Sequence, residues 1–178
     1  MTQTITRSYE DYATARGVVG ELEAAGVASA DISLLGRHRE VDDSNAGEGA
    51  GIGAALGGAS GLLAGLGLVA IPGIGPVVAA GWIASTLAGA AAGGVAGGVV
   101  GALTSAGEDS DSANYYAESV RRGASLVSVR ATEEQAPAVE AIMDGATPID
   151  RTSRLAEYRQ AGWSRFDDTA APYRSGYM

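Results

Sequence analysis

The sequence predicts an α+β protein, a ferredoxin-like split β-α-β domain into which a glycine-zipper helical hairpin is inserted. Two observations predict this class. The segments on either side of a long uncharged stretch each follow the order strand, helix, strand. The uncharged stretch, residues 49–107, carries small residues at nearly every fourth position, which is typical of closely packed helices.

The first β-α-β unit is predicted from periodicity at the start of the chain. Thr2 to Arg7 alternates and is rich in threonine, which favours a strand. Apolar residues then recur at helical spacing from Tyr9 to Ala25, and Ser8 is placed to cap this helix. Asp31 to Leu35 is predicted as the second strand.

The uncharged stretch is predicted to form two glycine-zipper helices. Residues four apart lie above one another on a helix, so a glycine at each such position lets another backbone approach closely. At about 1.5 Å per residue, the arms Gly49–Ala70 and Val77–Ser105 are each long enough to cross a hydrocarbon layer. The predicted turn between them contains Pro72, Gly73, Gly75 and Pro76. The candidate self-assembly residues are Gly49, Gly53, Gly57, Gly61, Gly65, Gly81, Ser85, Gly89, Gly93, Gly97, Gly101 and Ser105.

The second β-α-β unit is predicted after the zipper. A helix from Ala113 to Arg122 leads into a strand from Ser125 to Arg130. A helix from Glu133 to Asp144, kinked or started later by Pro137, and a weak fourth strand from Thr147 to Arg151 complete it. The predicted divisions are residues 1–36 (first half of the domain), 37–48 (polar linker), 49–107 (hairpin), 108–152 (helix and second half) and 153–178 (C-terminal helix and aromatic tail).

Composition argues against several functional classes. With 21 acidic and 12 basic residues the net charge is -9, and an acidic chain repels nucleic acid. The chain has no Cys, and its one His, His38, lies in a polar loop, where a solvated side chain is the better interpretation than a catalytic triad. Asp42 and Asp43 near His38 lack a second ligand cluster, so we expect no metal, no cofactor and no catalytic residue.

Six residues are candidate intersubunit or interfacial contacts, namely Trp82, Arg121, Arg122, Trp163, Phe166 and Tyr173. The arginines, with Asp109 and Asp111, fit an ion-pair surface between subunits, but compensation of the helix ends explains them as well. The aromatic residues of the tail fit a contact with a neighbouring subunit or a lipid interface, and packing on the chain's own sheet fits equally.

The uncharged hairpin has two interpretations. Its length and Trp82 near one end favour insertion into lipid, whereas its glycine- and alanine-rich surface also suits burial in a soluble assembly. The N-terminus lacks a secretory signal pattern, and the arginines that flank the hairpin favour cytoplasmic termini if it inserts. We therefore expect a cytoplasmic location, at the inner face of the cytoplasmic membrane or inserted in it.

Several stretches resemble a known family. "SYEDYATARGVVGELEAAGV", "GLLAGLGLVAIPGIGPVVAAG", "YYAESVRRGASLVSVRA" and the "GWSRFDD…APY" tail are similar to the bacterial general stress protein family, which includes heat-induced and low-temperature-induced proteins. The resemblance covers essentially the whole chain. It implies a ferredoxin-like domain with a glycine-zipper insertion, induction under stress, and no established enzymatic activity or cofactor.

The sequence thus predicts a non-enzymatic, stress-related structural protein that forms high-order homo-oligomers through its zipper hairpin at a membrane. A soluble filament or shell with the hairpins in its core is the alternative. A small-ligand sensing module that uses the ferredoxin-like sheet is a second alternative.

Overall fold

A computed structural model describes residues 2–36, 67–93 and 98–170 of the chain. These residues form five strands and six α-helices, with a short 3-10 helix at Ser29–Asp31. In chain order the described elements are β1 (Thr2–Tyr9), α1 (Tyr12–Ala24), β2 (Ile32–Gly36), β3 (Gly67–Ile71), β4 (Gly75–Gly81), α2 (Trp82–Gly93), α3 (Gly98–Ser105), α4 (Ser110–Arg122), β5 (Ser125–Thr132), α5 (Ala136–Gly145) and α6 (Arg151–Gln160).

The strands form one antiparallel sheet in the order β1-β5-β2-β4-β3. β5 lies between β1 and β2, which α1 connects, so these two strands run parallel to each other. The predicted α+β class is confirmed by this combination of helices with an antiparallel sheet.

Helices cover both faces of the sheet. The side chains of β5 alternate, so that Leu126 joins one apolar core while Val127 and Val129 join the other. α1 and α5 cover the face of Val127 and Val129, and α2, α3 and α4 cover the face of Leu126. Each fully buried Leu or Val contributes about 1.5–3 kcal/mol relative to exposure. The domain therefore rests on two cores that share β5.

The first helix begins later than its predicted cap. Asp11 is the N-cap of α1, and its carboxylate accepts a hydrogen bond from the Thr14 amide at 2.7 Å. Ser8, the predicted cap, lies in β1 opposite Leu126 of β5. The predicted cap is wrong because pairing with β5 extends the strand to Tyr9.

The zipper prediction is wrong over residues 67–81. This segment forms the strands β3 and β4 with a turn at 72–74, whereas the ends of two helical arms were predicted on either side of a turn. The physical reason is the presence of β-branched residues, which favour strands, among them Val69, Ile71 and Val77. Pairing of β4 with β2 then fixes the strand. The second arm is helical over Trp82–Gly93 and Gly98–Ser105, and Gly49 to Leu66 lie outside the described residues.

The predicted fourth strand, Thr147 to Arg151, is also wrong. Residues 147–150 are irregular, and Asp150 caps α6 by accepting a hydrogen bond from the Ser153 amide at 2.7 Å. Pro148 has no N–H to donate to a strand ladder. One backbone hydrogen bond, from Ile149 N to Ser8 O at 2.8 Å, links this segment to β1.

The remaining elements agree with the sequence prediction. α4 is capped by Asp109 and ends at Gly123, whose φ of 112° is the left-handed conformation that glycine adopts readily. α5 starts after the turn at 133–135, with Pro137 in its first turn. No helix within the three described ranges has both the length and the apolar character needed to cross a bilayer.

Candidate functional site

The hairpin formed by β3, its turn and β4, Gly67–Gly81, lies at one end of the sheet, and we call it the edge hairpin. Its 15 residues include no polar side chain. Ile74, Val77 and Ala79 are buried in the core beneath α2 to α4. Ala70 and Pro76 are exposed, and Val69 and Val78 are half-buried. The hairpin thus anchors one side in the core and presents apolar residues on its outer side.

β3 is the outermost strand of the sheet at this end. In an antiparallel pair, alternate residues direct their N–H and C=O groups away from the partner strand. No other strand within the described ranges pairs with β3 beyond β4. A strand edge of this kind, uncharged and apolar, is a template for pairing with another strand.

The opposite edge of the sheet, β1, is closed by its own chain. Thr6 O accepts hydrogen bonds from the Tyr116 hydroxyl at 2.8 Å and from Arg7 Nη1 at 3.0 Å. Arg7 is in turn held by Asp144, with Nε to Oδ1 at 2.7 Å. Together with the bond from Ile149 to Ser8, these contacts protect the β1 edge, as charged and covered edges do in other sheets.

Glycine at two positions lets the edge hairpin fit against its neighbours. Gly81 has φ of 77°, and a Cβ atom there would lie 2.0 Å from Ile32 O. Gly73, in the turn, has φ of 75°, and its Cβ would lie 2.7 Å from Asp167 O. These glycines therefore serve close approach between the hairpin and its own chain.

The candidate zipper residues occupy varied positions. Gly49, Gly53, Gly57, Gly61, Gly65 and Gly97 lie outside the described residues. Gly81 ends β4, Ser85 is exposed on α2, Gly89 and Gly93 belong to α2, and Gly101 and Ser105 belong to α3. A Cβ at Gly101 would meet nothing within 4 Å, so no other part of the described chain uses this glycine for close helix packing. Of the predicted turn residues, Pro72 and Gly73 lie in the turn and Gly75 and Pro76 begin β4, so the turn joins two strands and not the two helices that were predicted.

The candidate contact residue Trp82 is the first residue of α2 and is buried in the core, with the Arg130 guanidinium 5.2 Å from its ring centroid. Arg121 and Arg122 have an intrachain partner, Glu118, which is fully buried. Asp109, predicted as a partner for these arginines, instead caps α4 by accepting from the Ser112 amide at 2.9 Å. The structure therefore gives these charges roles within one chain.

The Glu118 cluster joins α4 to the C-terminal segment. Glu118 accepts from Arg121 Nε at 2.9 Å and Nη2 at 3.1 Å, and from Arg122 Nε at 2.6 Å. The Arg122 guanidinium lies 4.2 Å from the centroid of the Tyr158 ring on α6, in cation–π geometry. Burial raises the pKa of Tyr158, which keeps its hydroxyl neutral.

Aromatic rings continue this contact. Tyr115 lies 5.9 Å from Tyr158, and Tyr158 lies 6.0 Å from Trp163, between ring centroids. The Tyr115 hydroxyl and Trp163 Nε1 are buried, and within the described residues neither has a hydrogen-bond partner. Phe166 N donates to Asn114 Oδ1 at 3.3 Å, so the predicted tail contacts Trp163 and Phe166 pack on the chain's own α4. Tyr173 lies outside the described residues.

Sequence reasoning missed Glu118. The available signal was a glutamate followed by arginines three and four residues later on a predicted helix, a spacing that brings the side chains together. Such a pair is usually solvent-exposed, and only the packing of α6 over α4 shows that this one is buried. The cluster is fully paired and has a structural role.

Glu108 has its pKa raised by burial, an effect that a hydrogen bond with the Thr6 side chain opposes. Within the described ranges there is no group of three or more His, Asp or Glu side chains that is suited to a metal ion. His38, Asp42 and Asp43 lie outside these ranges.

Comparison of the chain with protein-family models, with curated proteins and with solved structures finds no match in any of the three.

Proposed function

We propose that this chain is a non-enzymatic structural protein that self-assembles through its uncharged, glycine-rich segment, with the edge hairpin as a contact surface. The single observation that carries the proposal is the composition and place of Gly67–Gly81. Fifteen residues without a polar side chain occupy the end of a sheet whose other end is protected. Contiguous apolar surface of this kind marks an interaction site in proteins.

The pairing geometry supports a second copy of the chain as the partner. Two β3 strands related by a two-fold axis present the same donors and acceptors to each other, so they satisfy one another's backbone groups. No charge on the edge hairpin opposes this approach. The zipper glycines outside the described residues remain part of the proposed assembly, at Gly49 to Gly65.

The remaining parts of the sequence prediction stand as proposals. The β1-α1-β2 unit with β5 inserted, followed by α5, fits a ferredoxin-like plan without its fourth strand. The resemblance to general stress proteins supports a role under stress. Lipid is a second partner to be tested, because the apolar outer residues of the edge hairpin suit a membrane surface as well as a second copy.

The test places a charge on the exposed face of β3. Ala70→Lys should lower the native mass of the assembly, because lysine on an edge strand opposes strand pairing. Ala24→Lys, at the exposed end of α1, is the matched control and should leave the mass unchanged. Multi-angle light scattering after size exclusion, at several protein concentrations, measures both.

Two results would contradict the proposal. One is a wild-type chain that is monomeric at all concentrations. The other is an assembly whose mass is the same for Ala70→Lys and wild type, which would remove the edge hairpin from the interface. Circular dichroism of each variant shows that the fold is retained.

A further inference from the structure

The chain between α5 and α6 contains one strained residue. Thr147 has φ of 50°, and it is the one non-glycine residue in the described ranges with a positive φ. Threonine is β-branched, and a β-branched residue in this conformation is a genuine outlier. Pro148 follows, and a residue that precedes proline is driven towards extended backbone. Thr147 is therefore disfavoured twice in the conformation that it adopts.

This strained residue lies where a separable segment begins. Residues 150–170, which we call the strap, run from the cap of α6 to the end of the described chain. α6 is polar on most of its surface, and Tyr158 is its one buried residue. Trp163 and Phe166 add two half-buried anchors. The strap thus docks on α4 through a few side chains and contributes no strand to the sheet.

Few contacts hold the hinge itself. Thr147 is exposed, and its amide makes a long hydrogen bond of 3.3 Å to Asp144 O. The bond from Ile149 N to Ser8 O is the backbone link between the hinge and the sheet. An extended hinge would lose these two bonds and would release the strain at Thr147.

We propose that the strap exchanges between two copies of this chain, with Thr147-Pro148 as the hinge. In the exchanged dimer the strap of each copy packs on α4 of the other copy, through Tyr158, Trp163 and Phe166. The contacts that the strap makes within one chain are therefore made again between the two chains. Thr147 adopts the extended backbone that its β-branched side chain and Pro148 both favour. A short hinge under strain is the usual origin of such exchange.

The exchange is distinct from the proposed pairing of edge hairpins. It uses the contacts of the strap with α4 and with the hairpin turn at Gly73, whereas that pairing uses β3 at the outer edge of the sheet. The two contacts can fail separately.

The test uses a crosslink between the strap and the body of the chain. The side chains of Arg154 on α6 and Glu10 after β1 form an ion pair, and the chain contains no native cysteine. Full-length protein with Glu10→Cys and Arg154→Cys, treated with a short bis-maleimide, will be covalently closed within one chain if the strap docks on its own α4. Exchange instead joins two chains, which a denaturing gel shows as a dimer. Glu10→Cys alone, at the same concentration, measures random crosslinking.

The strained hinge gives a second measurement. Thr147→Gly makes the positive φ acceptable, so it should weaken exchange about tenfold per chain and about a hundredfold per dimer. Thr2→Gly, at the exposed start of β1, should leave the crosslinked fraction unchanged.

The outcomes separate the two proposals. A crosslinked dimer well above the single-cysteine control, reduced by Thr147→Gly, supports exchange. Closure within one chain in a protein that light scattering shows to be oligomeric overturns exchange and leaves the edge-hairpin proposal standing. A monomeric native mass at every concentration overturns both, and an exchanged dimer with no larger species supports exchange and overturns edge pairing.

Discussion

Glu118→Gln should destabilise the protein by about 2 kcal/mol. The carboxylate has no exposed surface and accepts hydrogen bonds from two guanidinium groups at distances of 2.6 to 3.1 Å. Removing one partner of a buried ion pair costs about 3–5 kcal/mol. The side chains of Arg121 and Arg122 keep 17% and 22% of their surface exposed, so water recovers part of that cost. The expected loss is therefore below that range.

Urea unfolding measures this loss. With a denaturant dependence of about 2 kcal/mol per molar urea, the midpoint should fall by about 1 M. Glu157→Gln is the matched control, because Glu157 pairs with Arg154 at the same three-residue spacing but its side chain is 65% exposed. Its effect should stay under about 0.5 kcal/mol.

The reasoning is refuted if the two glutamine variants lose the same stability, or if Glu118→Gln loses under about 0.5 kcal/mol. Either result would mean that the arginines and the solvent compensate fully for the missing charge. If Glu118→Gln, but not Glu157→Gln, also changes the near-ultraviolet circular dichroism, the packing of Tyr158 has loosened. This result would link the Glu118 cluster to the docking of the strap.

Three further predictions concern protonation and backbone space. Burial raises the pKa of Glu108 in the folded protein, so the protein loses stability as the pH rises through this raised pKa and the carboxylate ionises. Glu108→Gln should therefore stabilise the protein at pH 7 and have no such effect at about pH 3. The hydrogen bond from Arg7 lowers the pKa of Asp144, so the ionised carboxylate stabilises the folded protein above its ordinary pKa near 3.8, and this stability is lost as the pH falls through the lowered pKa. Asp144→Asn should therefore destabilise the protein at pH 7 but not at low pH. For either variant, a difference from wild type in urea unfolding that is the same at the two pH values would contradict the predicted sign. Gly81→Ala should lower the free energy of unfolding by about 3 kcal/mol or more, since its Cβ would lie 2.0 Å from Ile32 O in a residue with positive φ. Gly101→Ala, in open space on α3, should be neutral or should stabilise by up to about 1 kcal/mol. Thermal melts that show equal losses of stability for the two variants would refute the packing at Gly81.

Apart from the strand expected at Thr147 to Arg151, the elements outside the uncharged stretch were predicted correctly because their signals lie within a few residues of each element. α4 is announced by Asp109 before it and Gly123 after it, and β5 by the alternation from Ser125. The choice of Ser8 as a cap failed since pairing with β5 is a long-range contact that no window of sequence contains. Asp11, the residue that caps α1, lies three residues after Ser8, and periodicity alone does not distinguish two capping candidates so close together.

The largest error of the sequence prediction concerns the edge hairpin, where helices were expected and strands are found. Small residues at every fourth position predict helices, but the same glycines and alanines also fit a sheet when β-branched residues separate them. Gly73 and Gly81 are required for positive φ and close contact with distant backbone, which spacing cannot reveal. The buried state of Glu118 and the strain at Thr147 depend equally on how α6 returns to α4.

The central claim is that this molecule works by associating with itself through uncharged surface. Sedimentation velocity of the wild-type chain over a hundredfold dilution, with and without a mild detergent, tests it most directly. We expect a mass of several chains that persists without detergent and falls on dilution. A species of 17.8 kDa at every concentration in both buffers would contradict the account.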